Sequence, residues 1–251
     1  WLIYTTINPM NQKRADYFRQ IVKKNYQEIA PEFAATRNRP LWPKLQEIIE
    51  TMALQGDLLD VGCGNGRLLD LIANQQISAY TGLDISGHLL RLAAQKYNHS
   101  YNNIQINWIE GDLLEEPFQS QFANICCIAT LHHIPSTKYR QLAVSHLAGW
   151  LKPGGYLIIS VWDLWHQPRY WLKLIKSYGQ TCLGQCEPGD IFFNWGQQDG
   201  NGHRRYYHAL TKKELIATIT KSGLRIIHYD NDNLNHYIVA QKLPINGDLS
   251  I

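Results

Sequence analysis

The chain has 251 residues, of which 45% are hydrophobic and 18% charged, and its formal net charge is +3. This balance excludes an intrinsically disordered chain, and the length suits one large folded domain. No apolar run approaches the roughly 20 residues that a membrane-spanning helix needs. Five cysteines, an odd number, do not suit a disulfide framework. We therefore expect a soluble protein in the reducing cytoplasm.

The first part of the chain is basic, and we expect an N-terminal helical segment over residues 10–50. A helix is predicted over residues 11–30, where the chain runs into Pro31, and residues before Met10 receive no role in the fold. Lys and Arg outnumber Asp and Glu by 8 to 5 over residues 11–50 and by 9 to 4 over 164–225, whereas 51–163 has 6 against 9. Two basic flanks indicate an anionic partner if the fold brings them together.

Residues 51–241 are expected to form the main domain. Short apolar runs alternate with amphipathic stretches from Leu58 to Val161, which predicts an α/β fold with a parallel sheet and right-handed crossovers. The predicted strands are 58–61, 79–83, 104–108, 123–128 and 156–161, the last after a turn at 152–155, and the predicted helices are 67–73, 89–97 and 138–150.

The alternating pattern stops at residues 163–210, which contain many aromatic, glycine and polar residues. This stretch is predicted to be an irregular, aromatic-rich insertion with one helix near residues 170–178. Regular elements then resume: a helix over 215–222 that follows a capping box of Thr211 and Glu214 and ends at Gly223, strands at 224–229 and 236–241, and a tail over 242–251.

A glycine-rich loop follows the first predicted strand. Gly62, Gly64 and Gly66 allow a sharp turn and let a ligand approach the backbone closely. The loop is not a dinucleotide fingerprint, because Arg67 stands where the third glycine would be, and no Lys-Ser/Thr pair makes it a phosphate-binding loop. Asp84 at the end of the second strand suits two ribose hydroxyls, and Asp112 after the third strand suits an adenine amino group. We expect an adenosine-containing ligand at this sheet edge.

These motifs resemble the class I S-adenosylmethionine-dependent methyltransferases over residues 58–161. The motifs are Asp60–Gly66, Gly82–Asp84, Gly111–Asp112, Ala129–His133 and Leu151–Gly155. The resemblance implies a Rossmann-like seven-stranded sheet with a reversed final hairpin, and S-adenosylmethionine as cofactor. The cofactor-site residues expected from it are Tyr26, Gly62, Gly64, Gly66, Asp84, Asp112, Leu113, Ala129 and His132.

A narrower resemblance, to the tRNA wobble-uridine carboxymethyl methyltransferases, spans roughly residues 25–241. It rests on Tyr26–Phe33, Thr36-Arg37, Trp42-Pro43, Gly189–Trp195, Arg205–His208 and Asp232-Asn233. The family's two aromatics after the Asp-Asn pair are replaced here by Leu234-Asn235. The resemblance implies esterification of 5-carboxymethyluridine in the tRNA anticodon loop. It also implies a small zinc-binding activator protein as a partner in eukaryotic members.

The implied acceptor, a carboxylate, is ionised at neutral pH and needs no general base. It needs a bidentate cation instead, for which Arg37, Arg204 and Arg205 are candidates. Aromatic residues that could stack an extruded base are Trp42, Trp162, Trp195, Tyr206 and Tyr207. We expect His133 to hydrogen bond in the substrate pocket and no metal at the His pair. The expected catalytic residues are Arg37, His133, Arg205, Tyr206 and His208.

Two other functions stay open at this point. The first is a methyltransferase for a small molecule, such as a quinone precursor or a carboxylic acid, with the insertion as a lid over an apolar pocket. The second is a binding module that has kept the fold without catalysis. Cys182 and Cys186 are interpreted as free thiols, because no second pair with zinc-finger spacing follows them.

Overall fold

The computed structural model describes residues 10–36, 40–115, 118–181, 185–195 and 203–244. The helices in these ranges are α1 (Gln12–Glu28), α2 (Ala30–Thr36), α3 (Pro43–Met52), α4 (Leu68–Ile72), α5 (Gly87–Tyr97), α6 (Thr137–Trp150), α7 (Trp171–Thr181) and α8 (Lys212–Lys221). The strands are β1 (Gln55–Val61), β2 (Gln76–Asp84), β3 (Ser100–Tyr101), β4 (Ile104–Glu110), β5 (Phe122–Ile128), β6 (Leu151–Trp162), β7 (Asp190–Trp195), β8 (His203–His208), β9 (Leu224–Asn231) and β10 (Asn235–Lys242).

The central sheet has the strand order β3-β4-β2-β1-β5-β6-β10-β9. Strands β4, β2, β1, β5 and β6 are parallel, whereas β10 runs antiparallel between β6 and β9. This arrangement confirms the predicted α/β class and the reversed final hairpin. The sheet has one strand more than the seven predicted, because the two-residue β3 pairs with β4 and is too short to give a periodic signal.

The core covers both faces of this sheet. Adjacent residues of one strand alternate between faces, so Leu58 packs with α3 and α4, whereas Leu59 packs with α6 and α8. On β5, Cys126 packs on the same face of the sheet as Leu58, and Cys127 packs on the same face as Leu59. The apolar runs in the sequence are therefore strands buried on both faces, as expected of a parallel sheet. In the part of the chain that is described, no helix is long and apolar enough to cross a membrane.

The N-terminal segment and the insertion are more regular than predicted. Pro31 does not end the helical segment but lies in the first turn of α2, where a proline needs no amide proton. The helix α3 was not predicted. Within the insertion, β7 and β8 form an antiparallel hairpin, with Asp190 opposite His208. The prediction of an irregular insertion was wrong, because two six-residue strands separated by a polar, glycine-rich stretch give a weak pattern.

A buried guanidinium fixes this hairpin to the domain. Arg140 on α6 is fully buried, and its Nη2 donates to Glu187 Oε2 (2.7 Å), just before β7, and to Glu214 Oε1 (2.9 Å) on α8. Glu187 also accepts hydrogen bonds from the backbone and side chain of Thr137. Arg140 thus links α6, the segment before β7 and α8. Its positive charge offsets the free-energy cost of removing the carboxylates from water.

His208 extends this network from the end of β8. Its Nδ1 faces Asp190 Oδ1 at 2.7 Å, and its Nε2 faces Glu214 Oε1 at 2.9 Å. Burial and the nearby Arg140 lower the pKa of His208, but the hydrogen bonds to the two carboxylates outweigh them and the pKa is raised. Glu187, Asp190 and His208 place possible ligand atoms within 4.8 Å of one another. These residues are already hydrogen bonded within the protein, Glu187 to Thr137 and Arg140 and both nitrogens of His208 to carboxylates, as in an ion-pair network.

We expect Arg140→Met to destabilise the fold by about 3–5 kcal/mol, because it leaves buried carboxylates without their cation. Urea denaturation followed by circular dichroism measures this loss. Lys138→Met, at an exposed position on the same helix, should cost less than about 0.5 kcal/mol. Equal losses for the two variants would contradict a structural role for the network.

Candidate active site

A cavity extends along the carboxyl edge of the parallel strands, where open α/β sheets bind their ligands. Residues that follow β1, β2, β4, β5 and β6 line its floor, and α1, α2 and β8 contribute its cover. The strand order therefore sets the order of side chains along the cavity. Asp112 lies at the β4 end and Trp162 at the β6 end, with the glycine-rich loop between them.

The glycine-rich loop is shaped by contacts that a side chain would prevent. Gly62 has φ +71°, and a Cβ added there would lie 2.1 Å from Oγ1 of Thr130. Gly64 also has positive φ, and its amide donates to Asp84 Oδ2 at 2.8 Å. A Cβ on Gly66 would lie 2.8 Å from the ring of Trp108. Two of the glycines are thus needed for space as well as for backbone conformation.

Asp84 ends β2 with its carboxylate buried at the cavity. Besides the Gly64 amide, it accepts a hydrogen bond from the Ser86 amide to Oδ1 at 2.9 Å. Burial raises the pKa of Asp84 to about 6, although these two amides favour its ionised form. Each carboxylate oxygen can accept a further hydrogen bond, so the site suits a ligand with two adjacent hydroxyls.

Asp60 is a functional candidate that the sequence reasoning missed, although it opens the glycine motif. It lines the cavity, is 3% exposed, and accepts a hydrogen bond from the Tyr80 hydroxyl at 2.8 Å. Burial raises the pKa of Asp60 to about 7. A buried carboxylate at a cavity wall is stabilised by a cationic ligand, which makes this part of the cavity a site for positive charge.

Asp112 is already engaged by a residue that sequence reasoning did not single out. Its Oδ2 accepts from Nε (2.8 Å) and Nη2 (2.6 Å) of Arg19 on α1, and Nη2 also contacts Glu115. Its Oδ1 accepts from the Leu114 amide, so Asp112 orders the turn after β4 as well. Leu113 lies beside it on the cavity wall. The ion pair thus ties α1 across the β4 end of the cavity.

The opposite end of the cavity contains a hydrogen-bonded chain of three side chains. The Tyr26 hydroxyl accepts from Arg205 Nη2 at 2.5 Å and lies 2.8 Å from His133 Nε2. A hydroxyl that accepts from a cation directs its own proton away from it, so Tyr26 donates to His133. His133 Nδ1 then faces the carbonyl of Tyr206 at 3.5 Å. All three side chains line the cavity, and the Tyr26 ring also packs on Phe33, which approaches Gly64 of the glycine-rich loop.

Arg205 reaches the cavity from β8 and is only 3% exposed. Its guanidinium carbon lies 5.0 Å from the ring of Tyr26, 5.9 Å from Phe33 and 5.2 Å from Tyr207. These ring faces fix the planar guanidinium in place and stabilise its charge. The arrangement puts a buried, oriented cation at the β6 end of the cavity.

The other predicted site residues have different positions. Ala129, Trp42 and Trp162 line the cavity, and Ala129 has φ +52°. His132 does not: it is fully buried, packs on Trp162 and Tyr207, and has its pKa lowered by burial to about 3. Tyr206 and His208 also do not line the cavity, since both contact Asp190 in the buried network. The residues Arg37 and Cys182 and the side chain of Trp195 lie outside the described part of the structure.

The chain belongs to the methyltransferase domain family, which it matches over residues 19–229. It is 31% identical over 175 residues to a tRNA (carboxymethyluridine(34)-5-O)-methyltransferase of Arabidopsis thaliana, and the match covers 68% of this chain and 40% of that protein. A Schizosaccharomyces pombe protein of the same name is 24% identical over 246 residues, covering 90% of this chain and 98% of that one. A solved SAM-dependent methyltransferase from Methanosarcina mazei has TM-score 0.66 and 23% identity, covering 82% of this chain and 100% of the other.

These matches confirm the predicted class I methyltransferase fold, and S-adenosylmethionine is the cofactor of this class. The chain spans less than half the length of its Arabidopsis relative. The family match ends at residue 229 and so leaves out β10, which completes the reversed hairpin.

We expect Gly62→Ala to destabilise the chain more than Gly154→Ala, although both glycines have positive φ. Gly154 has φ +81° with nothing within 4 Å of an added Cβ. Its substitution should cost only the left-handed backbone penalty, about 1–2 kcal/mol. Gly62→Ala should cost about 1–3 kcal/mol more, because the new methyl group collides with Thr130. Urea denaturation measures both, and Thr130→Ala should recover part of the difference. Equal losses for the two glycine variants would show that the contact with Thr130 is unimportant.

Proposed function

We propose that this chain transfers a methyl group from S-adenosylmethionine to the carboxylate of 5-carboxymethyluridine at the tRNA wobble position. The observation that carries the proposal is the buried guanidinium of Arg205 in the same cavity as Asp60 and Asp84. A cationic methyl donor and an anionic acceptor require opposite charges at the two ends of one site. The names of the two curated relatives support this acceptor.

The residues along the sheet edge fit the cofactor in the order of the strands. Asp112 at the β4 end is suited to the adenine amino group, and Asp84 at the end of β2 to the ribose hydroxyls. Asp60 and the glycine-rich loop, at the end of β1, are left for the charged methionine portion. The sulfur would then lie next to the end of β5, which faces the acceptor side.

Arg205 is proposed to hold the acceptor carboxylate, with Tyr26 and His133 positioning the guanidinium. The Tyr26 hydroxyl fixes one end of the Arg205 fork, and His133 fixes Tyr26 in turn. Trp162 lines the same end of the cavity, where its ring could stack on the uracil. Binding in such a pocket requires that the wobble nucleotide is turned out of the anticodon stack.

The reaction itself needs alignment more than acid–base catalysis. Bound S-adenosylmethionine supplies a methyl group on a positively charged sulfur; the carboxylate oxygen bonds to the methyl carbon while the carbon–sulfur bond breaks and its electron pair returns to sulfur. The carboxylate is ionised at neutral pH, so no proton has to be removed. The chain contributes orientation and the exclusion of water, which can lower the barrier by several kcal/mol.

The direct test is incorporation of labelled methyl from S-adenosylmethionine into tRNA that contains 5-carboxymethyluridine. The assay should use the chain alone and the chain with a zinc-binding activator protein, because the family resemblance implies that partner. Label is expected in a base-labile ester at the wobble nucleoside, and tRNA with unmodified uridine should take none. Absence of label under both conditions, with the cofactor bound, would refute the proposed acceptor.

Arg205→Lys should lower kcat/KM for carboxymethylated tRNA by roughly 30-fold or more, because lysine cannot hold a carboxylate in a fork and cannot fill the aromatic cage. The dissociation constant of S-adenosylhomocysteine should stay unchanged, since Arg205 lies at the acceptor end. Arg225→Lys is the matched control: it makes the same change at an exposed arginine where β9 begins, away from the cavity, and should keep nearly full activity. Equal effects of the two substitutions would argue against the role of Arg205.

Cofactor affinity should depend on pH through Asp60. The raised pKa of about 7 means that the ligand-free chain holds a proton on Asp60 below neutrality, whereas a cationic ligand favours the ionised form. Affinity should therefore rise with pH, by up to about tenfold per unit below the pKa, and level off above it. Calorimetric titration with S-adenosylmethionine measures this change.

Asp60→Asn should weaken binding at neutral pH and remove the pH dependence centred near 7. It should also stabilise the ligand-free chain at neutral pH by on the order of 1 kcal/mol or more, since the folded chain then buries no charge there. Asp57→Asn, at the other end of β1, is the control and should retain the pH dependence. A parent chain whose affinity does not change below neutrality would contradict the role of Asp60.

A further inference from the structure

Exposed cations from three separate elements surround the β7–β8 hairpin. Arg14 lies on α1, Lys173 and Lys176 lie on α7, and Arg204 lies on β8, next to Arg205; all four side chains are exposed. We name this surface the hairpin basic face. It joins parts of the two basic flanks of the sequence, which are far apart along the chain.

Contacts with two phenylalanines connect these cations. The Arg204 guanidinium carbon lies 4.0 Å from the ring centroid of Phe192, and the Arg14 guanidinium carbon lies 5.1 Å from that of Phe18. The two rings are themselves 5.1 Å apart. From the α7 side, Lys173 Nζ donates to the carbonyl of Phe192 at 3.0 Å. Lys176 is one turn further along α7. Contacts around β7 thus connect all four cations, with Arg14 and Arg204 on the Phe192 side of the hairpin and α7 on its other side.

Within the described residues, this face contains four cations that have no carboxylate at ion-pair distance. By contrast, Arg19, Arg140 and Lys152 each have a carboxylate partner within 4.0 Å. Four uncompensated positive charges on one surface produce a local positive potential. Such a surface is complementary to a polyanion.

The adjoining surface of α7 is apolar and solvent-exposed. Trp171 is 53% exposed, Leu172 75% and Ile175 67%. The indole nitrogen of Trp171 donates to the carbonyl of Trp165 at 2.9 Å, which restrains the ring while leaving its surface in solvent. Aromatic rings next to cations are the combination with which proteins bind single-stranded nucleic acid, through phosphate contacts and base stacking.

We propose that the hairpin basic face binds the sugar-phosphate backbone of the RNA strand whose nucleotide enters the cavity, and that Trp171 stacks on an unpaired base of the same loop. The inference rests on the proposed function and extends it. Arg204 and Arg205 are adjacent on β8, one exposed and one in the cavity. Because neighbouring side chains of a strand point to opposite faces, RNA that delivers one nucleotide to Arg205 would reach Arg204 around the hairpin, with phosphates further along the strand. RNA is favoured over a membrane because the four cations lie on three separate elements rather than along one amphipathic helix.

The test measures binding of an anticodon stem-loop RNA by fluorescence anisotropy at several salt concentrations. The variant carries Arg14→Gln, Lys173→Gln, Lys176→Gln and Arg204→Gln. Each phosphate contact contributes about 0.7–0.9 to the slope of log affinity against log salt, so the slope should fall by roughly 3. Affinity at low salt should fall by at least about tenfold.

The matched control removes the same number of charges at the opposite edge of the sheet, where the parallel strands begin. It carries Lys96→Gln, Lys152→Gln, Lys221→Gln and Arg225→Gln, and should keep the parent salt slope. Equal losses in both variants would show a general charge effect and overturn the proposal. S-adenosylhomocysteine should bind both variants like the parent, which shows that they are folded.

Trp171→Ala should weaken RNA binding by about tenfold without changing the salt slope, because stacking involves no counterion release, and Trp171→Phe should retain most of the affinity. Binding to vesicles with anionic lipid but not to RNA would assign this face to a membrane and overturn the proposal. The proposed function fails separately: RNA that binds the basic face but accepts no methyl group would refute the acceptor and leave the RNA surface in place.

Discussion

The buried guanidinium of Arg140 is the constraint on which the acceptor side of this molecule depends. The central sheet alone provides a cavity floor and three carboxylates, but it provides no cation at the β6 end. That cation comes from the β7–β8 hairpin, which the ion pairs of Arg140 with Glu187 and Glu214 hold against α6 and α8. Because Arg140 and Glu187 are buried, displacing the hairpin would leave charges unpaired in the interior, and this cost keeps it in one position.

Three carboxylates and Arg205 lie in different parts of the cavity, although Arg19 and Arg67 also line the carboxylate part. Asp112, Asp84 and Asp60 occupy the ends of β4, β2 and β1, whereas Arg205 covers the ends of β5 and β6. Burial raises the pKa values of Asp60 and Asp84. The ionised form of each carboxylate is therefore stabilised by a ligand that donates hydrogen bonds or carries positive charge. This arrangement of charges suits the transfer of a methyl group from a sulfonium to a carboxylate, in which both charges disappear.

Much of the fold, and the position of the residues that line the cavity at the strand ends, could be predicted from sequence, because their signals are local. The glycine-rich loop, Asp84 and Asp112 each lie directly after a strand, and strand ends can be located from apolar runs. The capping box was correct as well: Thr211 Oγ1 accepts from the Glu214 amide at 3.2 Å. Asp60 had a local signal too, since it opens the glycine motif, but it was assigned no role.

The acceptor end was harder to predict because its contacts are distant in sequence. Arg19 meets Asp112 across 93 positions, and Tyr26 meets Arg205 across 179. The periodicity of hydrophobic residues along the sequence does not predict contacts between residues so far apart. The stretch Arg205–His208 was expected to face the acceptor as a whole, but in a strand successive side chains point to opposite faces. Arg205 faces the cavity while Tyr206 and His208 face the buried network, and only recognition of β8 as a strand could have separated them.

The central claim is that one cavity holds a cationic donor at its carboxylate end and the acceptor carboxylate at Arg205. A crystal structure of the chain with S-adenosylhomocysteine and the 5′-monophosphate of 5-carboxymethyluridine tests it most directly. The account predicts both ligands in the cavity, with the carboxylate within about 3 Å of the Arg205 guanidinium and one of its oxygens facing the sulfur. A carboxymethyl group bound away from Arg205, with the cofactor in place, would contradict it.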